Sequence, residues 1–197
     1  WNPNDADPKP LREIAAHKGY ARAISISPDG ALVATAGNDQ MVRVWSAADG
    51  ALVRELPGHA RHVYNVAFDP SGRYLVSGDL MGVLKQWDVG SWNLVRDLDC
   101  KVLTKYDTTF KADCGGIRGI DFSPDGKTLA VAGISEVTNA FAGIGKPTVV
   151  TFNIETGERL KTMLPKDNFD GTCWAVQFDP AGEFLVGVGG GGSGGMW

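Results

Sequence analysis

Three histidines, three cysteines and one glycine-rich tract are the residues of this 197-residue chain whose types could carry chemistry. His59 and His62 stand close enough in sequence to share a metal ion, but a metal site needs further ligands, and none cluster beside them. No nucleophile and base are paired around any of the histidines. The tract at 187–194 has the composition of a phosphate-cradling loop. However, no Gly-Lys-Ser/Thr ends it and no helix pattern follows, so it is read as a flexible connection. Cys100 and Cys114 bracket one loop, which leaves a disulfide and two free thiols both open, while Cys173 reads as a buried apolar residue that happens to carry a thiol. The abundant aspartates, among them Asp29, Asp49, Asp69 and Asp125, sit at turns and suit turn capping. The expectation is no catalytic residue, no cofactor and no metal.

Bulk properties narrow the partners. A formal net charge of -4 and the lack of any Lys/Arg run provide no field for nucleic-acid phosphates. No stretch approaches the roughly 20 apolar residues of a membrane span, and residues 1–10 lack the regions of a signal peptide. Neither nucleic acid nor membrane is therefore expected as a partner. Localisation is left open, leaning to the cytoplasm. With 43% hydrophobic residues the chain can bury a core.

What must position these residues is a repeat. An alternating apolar segment runs into a proline turn four times: Ile26-Ser27-Pro28-Asp29-Gly30, Phe68-Asp69-Pro70-Ser71-Gly72, Phe122-Ser123-Pro124-Asp125-Gly126 and Phe178-Asp179-Pro180-Ala181-Gly182. Proline sets φ for the start of a tight turn and glycine takes the positive φ that closes it, so each copy joins two strands, a and b. Seventeen residues after Pro28 and Pro70 stand Trp45 and Trp87, each ending a third strand, c. A fourth strand, d, is expected at 52–56, 94–98 and 160–164. Pro180 plus seventeen reaches Trp197, and Trp1-Asn2 with 11–14 fit the end of a strand c followed by a strand d.

Gly58-His59, Ser27-Pro28-Asp29-Gly30 and Trp87-Asp88 make the chain resemble the WD-repeat β-propellers over essentially its whole length, of the multi-repeat type found in bacteria. The resemblance implies an all-β fold of four-stranded antiparallel blades, about four of them. These form an open part of a seven- or eight-bladed ring or half of a dimeric one. The expected division is 1–16 as the end of one blade, 17–58, 59–100, 101–165 with long insertions, and 166–197 as an incomplete blade. The resemblance also implies a hydrogen-bonded tetrad in each blade. His17, Thr35, Asp39 and Trp45 complete the first. His59, Ser77 and Trp87 belong to the second, with Met81 where the aspartate is expected. The third has Phe152 in place of Trp and no His, and the fourth has Trp197 with Gly187 in the Ser/Thr place.

The d to a and b to c connections of such a propeller share its top face. That is where this chain is long, at 100–116, 133–147, 165–172 and 189–195. The loop at 133–147 carries Ile134, Val137, Phe141 and Ile144, which need cover. Six residues before each turn proline stand Arg22, Tyr64, Arg118 and Trp174, types enriched at interface hot spots. In the family this position lies near the top entrance of the central channel, so the four are candidate partner-binding residues; packing around the channel is the alternative. The leading expectation is a scaffold that binds a protein or peptide on the top face. The alternatives are an accessory module of a larger enzyme, haem-bearing or hydrolytic, and a half-propeller that self-associates through its open faces.

Overall fold

A computed structural model of the chain describes residues 4–139, 144–166, 169–190 and 195–196. Its local logic begins in the proline turns. In the first, the Ser27 hydroxyl donates to Asp29 (2.6 Å) and accepts from the Leu32 N–H (2.9 Å), while Gly30 closes the turn at φ 71°. Ser123 and Asp125 repeat this arrangement in the third copy. In the second and fourth copies an aspartate replaces the serine and accepts directly from the next strand, Asp69 from Tyr74 N–H (2.6 Å) and Asp179 from Phe184 N–H (2.8 Å). Side chains thus satisfy backbone donors that a tight turn would otherwise leave without partners.

Each turn opens an antiparallel sheet whose strands follow in chain order. The first holds β1 (Ala21–Ile26), β2 (Leu32–Gly37), β3 (Val42–Ser46) and β4 (Leu52–Leu56). The second holds β5 (Val63–Phe68), β6 (Tyr74–Asp79), β7 (Val83–Asp88) and β8 (Leu94–Asp99). A short 3-10 helix, Lys101–Leu103, and a separate hairpin, β9 (Thr104–Asp107) with β10 (Ala112–Gly115), precede the third sheet. That sheet is β11 (Gly119–Phe122), β12 (Thr128–Asn139), β13 (Ile144–Asn153) and β14 (Arg159–Met163). The last is β15 (Thr172–Phe178), β16 (Leu185–Gly190) and β17 (Gly195–Met196).

The core lies between sheets, as a stack of blades requires. Val42, Val44 and Leu56 of the first sheet meet Val63, Val66 and Leu75 of the second. Val76, Leu84 and Leu98 of the second meet Leu129, Val131 and Phe152 of the third. Ala130 and Val149 of the third meet Cys173 and Val176 of the last. Polar latches run between the innermost strands: Phe68 N–H donates to Ser25 Oγ (3.1 Å), Asn65 Nδ2 to Ile117 O (2.9 Å) and Phe178 N–H to Asp121 (2.7 Å).

Three expectations need correction. Residues 133–139 and 144–147 are strand and not loop: β12 and β13 stay paired, with Gly133 opposite Thr148, Ile134 opposite Pro147, Ser135 opposite Lys146 and Asn139 opposite Ile144, while 140–143 lie outside the described residues. Ile134 and Val137 are buried, and Lys105 Nζ bonds the Val137 carbonyl (2.6 Å), so the hairpin finds its cover within the chain. Ile144 is partly exposed and Phe141 lies outside the described residues.

Residues 11–14 form no strand. Arg12 donates to the carbonyls of Ala47 and Ala48, which lays this segment against the β3–β4 turn, and the partner strand proposed around Trp1-Asn2 lies outside the described residues.

The glycine tract is strand in its first part. Gly187 and Gly190 pair with Val176 and Thr172, because a strand between two neighbours is held by its backbone alone. Residues 191–194 and Trp197 lie outside the described residues.

Candidate functional site

The first strand of each sheet begins at one end of the molecule, the end where β2, β6 and β16 finish and the long β12–β13 hairpin projects. There Arg22, Tyr64, Arg118 and Trp174 come together in one row. The Arg22 guanidinium lies 4.9 Å from the Tyr64 ring centre and that of Arg118 lies 4.8 Å from the same ring. Arg118 also meets Trp174 (5.6 Å), and Arg22 meets Tyr20 (5.2 Å). The order is Tyr20, Arg22, Tyr64, Arg118, Trp174, aromatic and cation alternating across all four sheets. Each such contact is worth about 0.5–1 kcal/mol at an exposed position, enough to set side-chain direction.

Backbone irregularity aims the row. The register of β1 against β2 slips between Ala21 and Ala23, that of β5 against β6 between Val63 and Asn65, and that of β15 against β16 between Cys173 and Ala175. Arg22, Tyr64 and Trp174 are the extra residue of a bulge in each case, and bulges re-aim side chains away from the pleat. Arg118 stands just ahead of β11, its N–H held by Ala132 O (2.8 Å). Asn38 accepts from Arg22 Nε (2.7 Å), and Trp174 Nε1 donates to Gly190 O (3.2 Å). Tyr20 and Trp174 are exposed, Tyr64 and Arg118 half-buried. Sequence reasoning missed Tyr20, Asn38 and the bulges. Tyr20 lies two residues before Arg22, outside the repeated position, so periodicity gave no signal for it.

Two buried relays stand apart from this row. In the first sheet Trp45 Nε1 donates to Thr35 Oγ1 (2.9 Å), Thr35 bonds His17 Nε2 (2.9 Å), and His17 Nδ1 meets Asp39 (2.7 Å). In the second, Trp87 Nε1 donates to Ser77 Oγ (3.0 Å), Ser77 bonds His59 Nε2 (2.8 Å), and His59 Nδ1 meets Asp79 (3.0 Å). The expectation that Met81 stands in the aspartate's place is therefore corrected. Asp79, two residues earlier at the end of β6, supplies the carboxylate. Both ring nitrogens of His59 are occupied, which removes it as a metal ligand, and no metal-binding cluster exists among the described residues. All three cysteines are free thiols. Burial pushes Cys173 up to about 12 and raises Cys100 and Cys114 as well, so none is an activated nucleophile.

The family model of the WD domain, G-beta repeat, matches residues 8–46, 50–88 and 104–136, more than half of the chain. The chain belongs to the WD-repeat family. The Ribosome assembly protein 4 of Chaetomium thermophilum is 34% identical over 53 residues, 27% of this chain and 10% of that protein. The ribosome biogenesis protein ERB1 of Yarrowia lipolytica is 42% identical over 52 residues, 25% of this chain and 6% of that protein. The chain thus matches a tenth or less of either relative's length. Both are eukaryotic ribosome-biogenesis proteins, so the relatives matched are not of the bacterial type that the sequence suggested. WD repeats are generally non-catalytic scaffolds. No helix among the described residues is long and apolar enough to cross a membrane.

In the complete WD relay, burial works to raise the Asp39 carboxyl, but hydrogen bonds from Arg43 (2.7 Å), His17 and the Lys18 N–H outweigh it and bring it down to about 2. A carboxyl held below its unfolded value of 3.8 stabilises the fold fully above that pH, and this support fades as pH falls through about 2. Asp39→Asn is expected to cost about 2 kcal/mol at pH 6, from the 1.36 kcal/mol that each pKa unit represents, and the deficit should close between pH 4 and 2. Urea unfolding of both proteins across that range checks it. A deficit independent of pH would show that the carboxylate's charge is not what the relay uses.

Proposed function

We propose that this WD-repeat segment is a protein-interaction scaffold that receives a peptide or partner domain on the end bearing Arg22, Tyr64, Arg118 and Trp174, and that it acts by binding and not by catalysis. The observation that carries this reading is the row itself. Four successive sheets each turn a large interface-type side chain to one line, three of them by means of a bulge. Inward packing would have needed no such departure from the strand register. WD domains bind proteins generally, and both relatives bear names of ribosome assembly or biogenesis.

Selection of displayed random peptides on the full chain tests it. The wild type should enrich peptides that lose at least tenfold in affinity to a variant carrying Arg22→Glu, Tyr64→Ala, Arg118→Glu and Trp174→Ala, with its melting temperature kept. Selected peptides that bind the variant equally well would place the binding surface elsewhere.

A second reading is favoured by the two outer faces. Ile24 (68%) and Ile26 (62%) are exposed on β1, and a cavity of about 390 Å³ on the last sheet is lined by Val176, Phe178, Phe184 and Val188. Self-association through these faces predicts a dimer in sedimentation equilibrium that Ile24→Glu dissociates.

A further inference from the structure

The following rests on the reading of the row as a binding surface and adds what it binds. Ion pairs among the described residues hold Arg43, Arg61 and Arg73; Arg22 and Arg118 form none, as is also true of Arg12, Arg54, Arg96 and Arg159, but only these two combine that with aromatic contacts. Arg22 spends only its Nε, on the neutral Asn38 side chain. Arg118 Nε is buried and finds no acceptor. The rings of Tyr20, Tyr64 and Trp174 lie against these guanidiniums, whose Nη groups are the donors that remain. A guanidinium held by aromatic rings with its Nη donors unspent suits a planar carboxylate met fork to fork.

We propose that the row takes an acidic, extended peptide segment, with one carboxylate at Arg22, a second at Arg118 and an apolar side chain against Trp174. The two guanidiniums share the Tyr64 ring, at 4.9 and 4.8 Å from its centre, and each also meets a ring of its own, Tyr20 or Trp174, so each is assigned a single carboxylate. In an extended chain, side chains two residues apart point the same way and their Cα atoms are separated by about 6.6 Å. Glutamates in the pattern Glu-x-Glu are therefore matched to the two guanidiniums that share the Tyr64 ring, and the residue two further on to the exposed Trp174. Lone, spaced arginines in a chain of net charge -4 lack the continuous basic field that a phosphate backbone requires.

The test uses fluorescence anisotropy with the full chain and a labelled peptide containing Glu-Ser-Glu-Ser-Leu between glycine-serine flanks. The same peptide with Gln for Glu, one with phosphoserine for Glu, and a ten-residue oligouridine are compared with it. The Glu peptide should bind at least tenfold tighter than the Gln peptide and lose affinity as salt rises. It should lose at least tenfold with Arg22→Gln or Arg118→Gln, and several-fold with Arg118→Lys, which keeps the charge but not the planar fork. Arg54→Gln, on β4 away from the row, should change nothing. Equal binding of Glu and Gln peptides, tighter binding of phosphoserine or oligouridine, or a Glu affinity indifferent to both arginines overturns the proposal. If the library peptides still depend on Tyr64 and Trp174 while the Glu peptide fails, the chemistry inferred here falls and the binding surface stands.

Discussion

Asp79→Ala is expected to lower stability by about 3–5 kcal/mol, from buried donors left without their acceptor, and to be among the most damaging single changes in the second sheet. Asp79 is fully buried and its carboxylate accepts from three donors: His59 Nδ1 (3.0 Å), Met81 N–H (2.8 Å) and Val83 N–H (3.0 Å). The alanine variant leaves all three without an acceptor, at about 1–3 kcal/mol for each group left unpaired. Partial relaxation keeps the sum below simple addition. Urea unfolding reads the loss directly. Met81→Ala, in a half-buried side chain outside the relay, should cost under about 1 kcal/mol, the size of an ordinary substitution away from buried polar partners. Adding Met81→Asp to Asp79→Ala should recover little, because the β6–β7 turn is built around a carboxylate at 79. Full recovery would mean that the aspartate can serve from either position.

That contrast explains why the relay was only half legible in the sequence. Thr35 and Ser77 occupy the same repeat position, but the residue two further on is Gly37 in one sheet and Asp79 in the other. A Cβ on Gly37 would come within 2.4 Å of the His17 ring, so the first sheet must bring its carboxylate from the following turn, at Asp39. The second sheet places it at the end of the strand. Spacing from the proline gives the hydroxyl and the indole in both sheets but is blind to which of two backbone positions delivers the acid.

The same division runs through the rest of the molecule. Pro28, Gly30 and their repeats announce the a to b turns because the turn's own dihedral needs are local. The four row residues were legible as a repeated position for the same reason. Their stacking was not, since a bulge is a property of register against a partner strand, and nothing in Ala21-Arg22-Ala23 distinguishes a bulged residue from a paired one. Residues 133–147 read as loop because they lengthen the third repeat beyond its neighbours, yet Pro147 lies opposite Ile134 in a paired strand. What holds this extension together is tertiary: the Lys105 bond to Val137 O and the Ser135–Thr148 hydroxyl pair (2.6 Å).

The third sheet carries the second large prediction. Phe152 stands where Trp45 and Trp87 stand in their sheets, almost fully buried among Leu129, Val131, Val150 and Ile154 against the second sheet. With Val131 in the place of Thr35 and Ser77, this sheet has exchanged a polar relay for an apolar contact, and the loss of the histidine is consistent with that exchange. Phe152→Ala is expected to cost about 3–5 kcal/mol, the range for emptying a buried aromatic site. Phe152→Trp should also destabilise. Its indole N–H would face Val131 with no hydroxyl to receive it, a cost of about 1–3 kcal/mol on top of overpacking. Pairing Phe152→Trp with Val131→Ser should return part of that, as measured by the coupling energy of the double-mutant cycle in urea. A positive coupling would show that the relay's indole and hydroxyl form a unit that can be rebuilt without the histidine. Additive losses would show that the indole depends on the whole chain from Trp to Asp, and that a WD blade keeps either the complete relay or an apolar substitute for it.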